Sequence, residues 1–265
     1  MKAIVPALLN TAPWRVFDSA FESRGLPPLG GFVLKRTVDI ALAGCLLALS
    51  LPFLVLAAIV IRMDSRGPVL FFQTRVGRGF SRFRIWKLRT MRVGGAGPSF
   101  TLGDDSRVTR AGRWLRRFKV DELPQLWNVL RGDMSLVGPR PVVPDLIEGF
   151  EEAYTRLLAV RPGLTDPATI KYCREEECLS RVVDQTLYYK TMMIPDKVRL
   201  SIAYLEHASL SSDLVLIAET VLVLIPRNCE FLFIRGWFLE RWNMGRWLFL
   251  RPVHQEKAEP VPGKM

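Results

Sequence analysis

The longest uncharged stretch of the chain runs from Ile40 to Ile61, and no polar stripe divides it. A helix over it would be about 33 Å long at ~1.5 Å per residue, close to a bilayer core of about 30 Å. Pro52 falls near its middle, where a proline removes a backbone hydrogen bond and bends a helix. Ser50 is placed to satisfy a backbone group freed by that break. Basic residues flank both ends, Lys35 and Arg36 before the run, Arg62 and Arg66 after it. A spanning helix would leave one of these clusters outside, against the positive-inside tendency. A re-entrant hairpin that enters and leaves by the cytoplasmic face keeps all four inside. A kinked spanning helix is the other reading, and the sequence leaves both open.

Downstream the hydrophobic pattern shortens. Val69–Gln73 and Phe83–Lys87 read as two short strands about Gly77 and Gly79. Gly94 to Pro98 reads as a loop. Arg107, Arg110, Arg113, Arg116 and Arg117 recur at near-helical spacing and predict a helix with a basic face. Residues 121–130 read as a helix with Asp121 at its N-cap, Pro124 in the first turn and Gly132 past the end. Gly138-Pro139-Arg140-Pro141 cannot be helical and predicts an ordered loop. Further helices are expected over 145–160, 185–207 and 212–225.

Charge sharpens this outline. Lys and Arg total 37 against 26 acidic residues, a formal net charge of +11. Such an excess calls for an anionic partner: nucleic acid, a phosphorylated metabolite or an acidic lipid surface. With 49% hydrophobic residues, the membrane face is favoured. Trp237, Trp242 and Trp247 alternate with Arg235, Arg241, Arg246 and Arg251 near the C-terminus, the composition of an interfacial helix that binds anionic membrane lipids. Packing of those rings on the domain or a partner is the plainer alternative. Four cysteines (Cys45, Cys173, Cys178, Cys229) form neither a disulfide ladder nor a CxxC pair, which suits a reducing compartment. His207 and His254 are the only histidines, too few for a His-based hydrolase or zinc site. The apolar stretch before Pro6 lacks a cleavage site, so no signal peptide is expected.

The chemistry gathers at Asp121 and Glu122. Neighbours in a helix point about 100° apart and cannot share a proton as a facing dyad would. An Asp at an N-cap with Glu in the first turn is also what any helix start prefers. The surroundings argue for more. Arg116, Arg117 and Lys119 precede the pair, and a helix N-terminus itself favours phosphate. Two carboxylates among many cations are what magnesium-assisted phosphoryl transfer requires. Lys87, Arg89 and Arg140 are further candidates for holding phosphate.

Three runs then follow one another in order: Phe72-Gln73-Thr74-Arg75-Val76-Gly77, Lys87-Leu88-Arg89-Thr90-Met91, and the block from Asp121-Glu122-Leu123-Pro124-Gln125 to Gly138-Pro139-Arg140-Pro141. Together they resemble the bacterial sugar transferase family, the monotopic phosphoglycosyl transferases that start glycan assembly on polyprenyl phosphate. The resemblance runs from about Lys35 to about Pro226. It implies that Asp121 is a nucleophile, that Glu122 binds Mg2+, and that Lys87, Arg116 and Arg140 bind phosphate. It implies a UDP-sugar donor, a polyprenyl (undecaprenyl) phosphate acceptor, UMP as product, and a site at the cytoplasmic face of the bacterial inner membrane. The family's hairpin breaks at Ser-Pro; here Leu51 precedes Pro52 and the serine is one place earlier, at Ser50.

The expected fold is therefore mainly α with a few short strands (α+β), a membrane-embedded re-entrant helical hairpin joined to a compact cytoplasmic catalytic domain. Its expected parts are an N-terminal segment (1–34), the hairpin (35–66), the catalytic domain (67–226) and a Trp/Arg-rich interfacial tail (227–265). A non-catalytic, basic, membrane-anchored binding protein is the rival reading, and it leaves the acidic pair without a purpose. No nucleic-acid partner is expected, because apart from Trp114 and Phe118 no aromatics interleave with the basic run 107–119. Asp121→Asn and Glu122→Gln are both expected to leave the fold intact. No segment specifies the sugar or the oligomeric state.

Overall fold

The computed structural model describes residues 29–94, 105–147 and 151–224. The expected tail, 227–265, and most of the N-terminal segment, 1–28, lie outside the described residues. Helix α1 spans Leu29–Asp64 and runs without interruption through Pro52. Its middle is apolar and open, with Leu49 71% and Phe53 65% exposed. Pro52 cannot donate to the Ala48 carbonyl one turn back. Ser50 Oγ donates to the neighbouring Leu47 carbonyl at 2.9 Å.

Two strands follow. β1 (Leu70–Val76) and β2 (Arg82–Leu88) pair antiparallel, with Leu70 opposite Leu88 and Val76 opposite Arg82. β1 continues past its expected end at Gln73 to Val76 and β2 gains a residue at each end, because Gly77 and a left-handed Gly79 confine the reversal to a single short turn. Helix α2 (Arg110–Arg117) begins where Thr109 Oγ1 accepts from the Gly112 N–H at 2.9 Å. A Cβ on Gly112 would meet the Thr90 carbonyl oxygen at 2.0 Å, so α2 lies backbone to backbone against the chain after β2. Leu115 of α2 packs with Ala57, Ile61 and Leu88. Arg110, Arg113, Trp114 and Arg117 face outward and form part of the basic face that the spacing predicts, whereas Arg107 precedes the helix and pairs with Asp105, and Arg116 turns inward to Thr90.

Helix α3 (Gln125–Arg131) closes on a left-handed Gly132. Strand β3 (Ser135–Val137) pairs parallel with β4 (Gly163–Thr165). Their glycine ends touch so closely that a Cβ on Gly163 would stand 2.1 Å from the Gly138 nitrogen. Side chains larger than hydrogen there would push apart the loop carrying Arg140. The remaining described helices are α4 (Glu151–Leu157), α5 (Pro167–Lys171), α6 (Glu175–Leu179), α7 (Gln185–Tyr188), α8 (Ile194–His207) and α9 (Leu210–Leu224). A π-helical turn, Tyr189–Met193, joins α7 to α8 just before Pro195, which has no N–H to continue the regular ladder. Val76, Tyr154, Leu157, Leu158, Ile194, Val198 and Ile202 form the core of this half.

Both ends of α1 are tied to these elements. At one end Arg36 donates to the Val129 and Leu130 carbonyls at 2.7 and 3.0 Å, closing the C-terminus of α3. Buried Asp39 accepts from Ser135 Oγ at 2.7 Å and the Leu136 N–H at 3.1 Å, and Lys35 is paired with Asp213 of α9. At the other end Asp64 accepts from the Ala111 N–H at 2.9 Å, and Arg89 donates to the Ser65 and Arg66 carbonyls.

Candidate active site

Lys119 adopts a left-handed backbone, φ 54° and ψ 19°, which turns the chain out of α2 into a single 3-10 turn, Val120–Glu122. A non-glycine residue in that region is uncommon and concentrates at functional turns. The turn corrects one expectation. Asp121 is not the N-cap of a helix: α3 begins only at Gln125, its N-cap is Pro124, and no side chain caps it. Asp121 is 6% exposed, and its Oδ1 is buried with no hydrogen-bond partner among the described residues. The reason is steric. Leu123 and Pro124 keep helical angles but Pro124 offers no N–H, so the donors an N-cap carboxylate would need are missing or already used.

Glu122, 8% exposed, is committed instead. Its Oε1 accepts from Lys87 Nζ of β2 at 2.8 Å and from Arg140 of the loop after β3. Three separate elements thus meet at one carboxylate. Asn128, fully buried in α3, sets that meeting. Its Oδ1 accepts from the Trp86 N–H at 3.1 Å, and its Nδ2 donates to the Arg84 carbonyl at 2.8 Å. The residue beside Trp86 is Lys87, so the clamp aims the lysine at Glu122.

The two adjacent carboxyls have opposite electrostatics. Burial would raise Glu122, but Arg140, Lys87 and Lys119 outweigh it and hold the carboxyl well below its ordinary value. Burial raises Asp121 above its ordinary value, with Glu122 adding to the rise and Lys87, Lys119 and Arg116 opposing it. Burial lowers Lys87 while Glu122 supports its charge. Arg140 is pushed up, chiefly by Glu122. Glu122 is therefore a permanent anion held by two cations. Asp121 is a poorly solvated, more basic carboxylate, the character expected of a nucleophile.

The other sequence candidates fall in different places. Arg116 Nε donates to Thr90 Oγ1 at 2.9 Å and its Nη1 to Glu176 at 2.6 Å, within the charge field of Asp121. Arg89 is not brought to the pair. It is 4% exposed and its guanidinium holds the carbonyls that end α1, so the structure gives it a scaffold role in place of the expected phosphate contact. Ser50 and Pro52 lie within α1, apart from the acidic pair. Arg75, in the Phe72–Gly77 run, is a site residue that the sequence does not single out. Its Nη1 donates to the Pro141 carbonyl at 3.3 Å, and burial and Arg140 lower it to about 10. Asn128 is legible only as a polar residue among Leu126, Trp127, Val129 and Leu130.

A family model described as bacterial sugar transferase matches residues 31–227. The chain belongs to the bacterial sugar transferase family. This transferase is 40% identical over 201 residues to a UDP-glucose:undecaprenyl-phosphate glucose-1-phosphate transferase of Caulobacter vibrioides, covering 74% of this chain and 71% of that one. It is 44% identical to an undecaprenyl-phosphate glucose phosphotransferase of Komagataeibacter xylinus, over 54% of this chain but 28% of the relative. It is 37% identical to a UDP-N-acetylgalactosamine-undecaprenyl-phosphate N-acetylgalactosaminephosphotransferase of Aeromonas hydrophila, over 61% of this chain and 40% of the relative. The chain thus spans less than half the length of the last two. The named sugars differ among these relatives, although each named acceptor is undecaprenyl phosphate. The sugar transferase is an enzyme, and the non-catalytic binding reading falls away.

Proposed function

We propose that this sugar transferase moves a sugar 1-phosphate from a UDP-sugar to undecaprenyl phosphate at the cytoplasmic face of the inner membrane, by way of a phosphosugar on Asp121. The observation that carries the proposal is the unpartnered, buried Asp121 carboxylate beside a Glu122 already neutralised by Lys87 and Arg140. In the first step a carboxylate oxygen of Asp121 bonds to the β-phosphorus of the donor. The bond from that phosphorus to the bridging oxygen breaks, and its electron pair leaves with UMP. In the second step an oxygen of the lipid phosphate bonds to the same phosphorus and Asp121 departs as a carboxylate. Each step exchanges one phosphate linkage for another and needs no proton. Lys87, Arg140 and Arg116 are placed to balance charge on the phosphoryl oxygens.

The residues suit magnesium, which one or two carboxylates hold together with substrate phosphates. Glu122 carries both of its ion pairs on Oε1, which leaves Oε2 to hold the ion beside the Asp121 carboxylate. Once bound, the ion would draw charge off the phosphate oxygens.

The tethers of α1 bear on its topology. Polar α2 lies against Ala57–Ile61, and Arg36 and Asp39 are bound at the other end. Only the stretch from Ile40 to Leu56 remains for hydrocarbon, about 25 Å at ~1.5 Å per residue, short of a ~30 Å core. Outward Arg113 and Arg117 with Trp114, 67% exposed, suit a headgroup layer at the α2 level. These features support a monotopic arrangement with both ends of α1 cytoplasmic, which requires the continuous α1 to bend at Pro52, where the Ala48 carbonyl lacks its N–H partner. Cysteines introduced at Val33 and Pro68, with the native cysteines replaced, should both resist an impermeant external reagent in intact cells. Labelling of one end alone would restore the spanning helix.

The reaction itself is tested with detergent-solubilised protein, magnesium, and UDP-glucose, UDP-galactose and their N-acetyl counterparts. One donor should release UMP, and labelled UMP should exchange into that donor without lipid acceptor. Overall transfer without such exchange would point to direct attack in a ternary complex, and no release from any donor would overturn the proposed function.

A further inference from the structure

Gln125 opens α3 four residues after Asp121, with Leu123 and Pro124 between them at helical angles, and it lies on the face of α3 that it shares with Asn128 three residues on. It is 3% exposed, and its Nε2 is buried with no hydrogen-bond partner among the described residues. Asp121 Oδ1 is in the same condition, so the two are not bonded to each other. Asn128, the next residue along this face, shows what a structural amide does here. It is fully buried and bonds Arg84, Trp86 and Asp133. Buried amides are ordinarily satisfied in this way, and one that is not requires an explanation. The pair of orphans has complementary needs. The carboxylate oxygen offers electrons, and the amide offers a proton to an acceptor. A phosphoryl group between them meets both needs at once, its phosphorus facing Asp121 and a non-bridging oxygen facing Gln125. Lys87 and Arg140 cannot serve that oxygen alone, because both already bind Glu122.

We propose that Gln125 is a catalytic residue whose carboxamide N–H binds a non-bridging oxygen of the phosphoryl group that Asp121 attacks and carries. This deepens the proposed function and rests on it. A neutral donor in that place stabilises the charge that gathers on the oxygens as the bond to Asp121 forms. It does so without further lowering the basicity of Asp121, as another cation would.

The test is Gln125→Met in the full-length, detergent-solubilised protein. Methionine nearly matches glutamine in shape and removes the donor. With a donor sugar nucleotide from the panel above, UMP release should slow by about 100-fold in kcat while KM changes little. Thermal unfolding should be no lower than in the wild type, since an unsatisfied buried amide contributes nothing to the fold. Mass spectrometry of the protein with donor alone should show the Asp121 adduct forming correspondingly slowly. Turnover within a few-fold of wild type would overturn the proposal, and would mean that the two orphan atoms share only water. A variant that unfolds, or melts well below wild type, would also overturn it by showing that the amide holds structure. If the wild type releases no UMP from any of the four donors, the proposed function fails and this proposal with it. An active wild type, an inactive Asp121→Asn and an unimpaired Gln125→Met would sink this proposal alone.

Discussion

Asp121→Asn should remove transfer and UMP exchange altogether, to the detection limit of the assay, while the protein stays folded and at least as stable as wild type. An amide cannot form the covalent phosphosugar. Stability is spared because the Asp121 side chain caps nothing and its Oδ1 has no partner to lose. The pH dependence gives a second signature. The folded-state value of Asp121 is raised above the ordinary 3.8. Between the ordinary and the raised value the folded protein binds more protons than the unfolded chain, so wild-type stability falls as pH rises through that window. The asparagine variant lacks this loss. Melting curves of the two proteins should therefore coincide at acid pH and separate above it, the variant higher. A folded variant that keeps substantial turnover sinks the nucleophile assignment, and a variant markedly less stable at neutral pH restores a structural role.

Glu122→Gln should behave differently, because the pairing of Glu122 with Lys87 and Arg140 argues for a less stable fold where the sequence alone led both amides to be expected silent. The glutamine can accept a hydrogen bond, but Lys87 and Arg140 lose their shared counter-charge. Removing one partner of a buried ion pair costs about 3–5 kcal/mol, and the low end, about 3, applies because the Arg140 side chain is 39% exposed to water. Activity should fall by at least about 100-fold, because the carboxylate that would hold magnesium is lost and the freed cations pair with Asp121, lowering its nucleophilicity. The folded-state value of Glu122 lies well below the ordinary 4.5. Its stabilisation is thus present above that ordinary value and lost as pH falls through the folded one. The melting deficit of Glu122→Gln should be full at neutral pH and close as the solution is acidified. Adding Lys87→Met to the variant should recover part of the deficit by removing one of the unpaired cations, a coupling that a double-mutant cycle measures. An unchanged melting temperature for Glu122→Gln at neutral pH would contradict this account of the site.

The two substitutions look alike in the sequence because Asp121 and Glu122 are neighbours with the same chemistry. Their difference arises from what lies 35 residues before Glu122 and 18 after it, in Lys87 and Arg140. Neither partner can be chosen from spacing, since the sequence offers Arg89, Arg116, Arg117 and Lys119 as equally charged candidates. Arg89 shows the ambiguity. It sits two residues from Lys87 in the same strand exit, yet one side chain reaches the site and the other closes α1. In a strand, residues two apart share a face, but β2 ends at Leu88 and the chain turns before Arg89 completes the alternation.

What the sequence by itself determined is everything that depends on local periodicity and on backbone chemistry. The uncharged run became α1, the alternating segments about Gly77 and Gly79 became β1 and β2, and the arginine spacing placed a basic face on α2. The ordered turn at Gly138–Pro141 and the stop at Gly132 follow from the same kind of signal, because glycine and proline act on their own φ angles. Tertiary structure alone decided the rest. The short β3–β4 pairing, the Asn128 clamp, the burial of Gln125 and the commitment of Arg36 to the end of α3 all join residues distant in the chain. It also decided that Asp121 is left unpartnered while Glu122 is doubly paired. A carboxylate's protonation and its partners are set by how much water surrounds it and which cations packing brings near. Those are properties of the assembled core, which no local pattern of residues encodes.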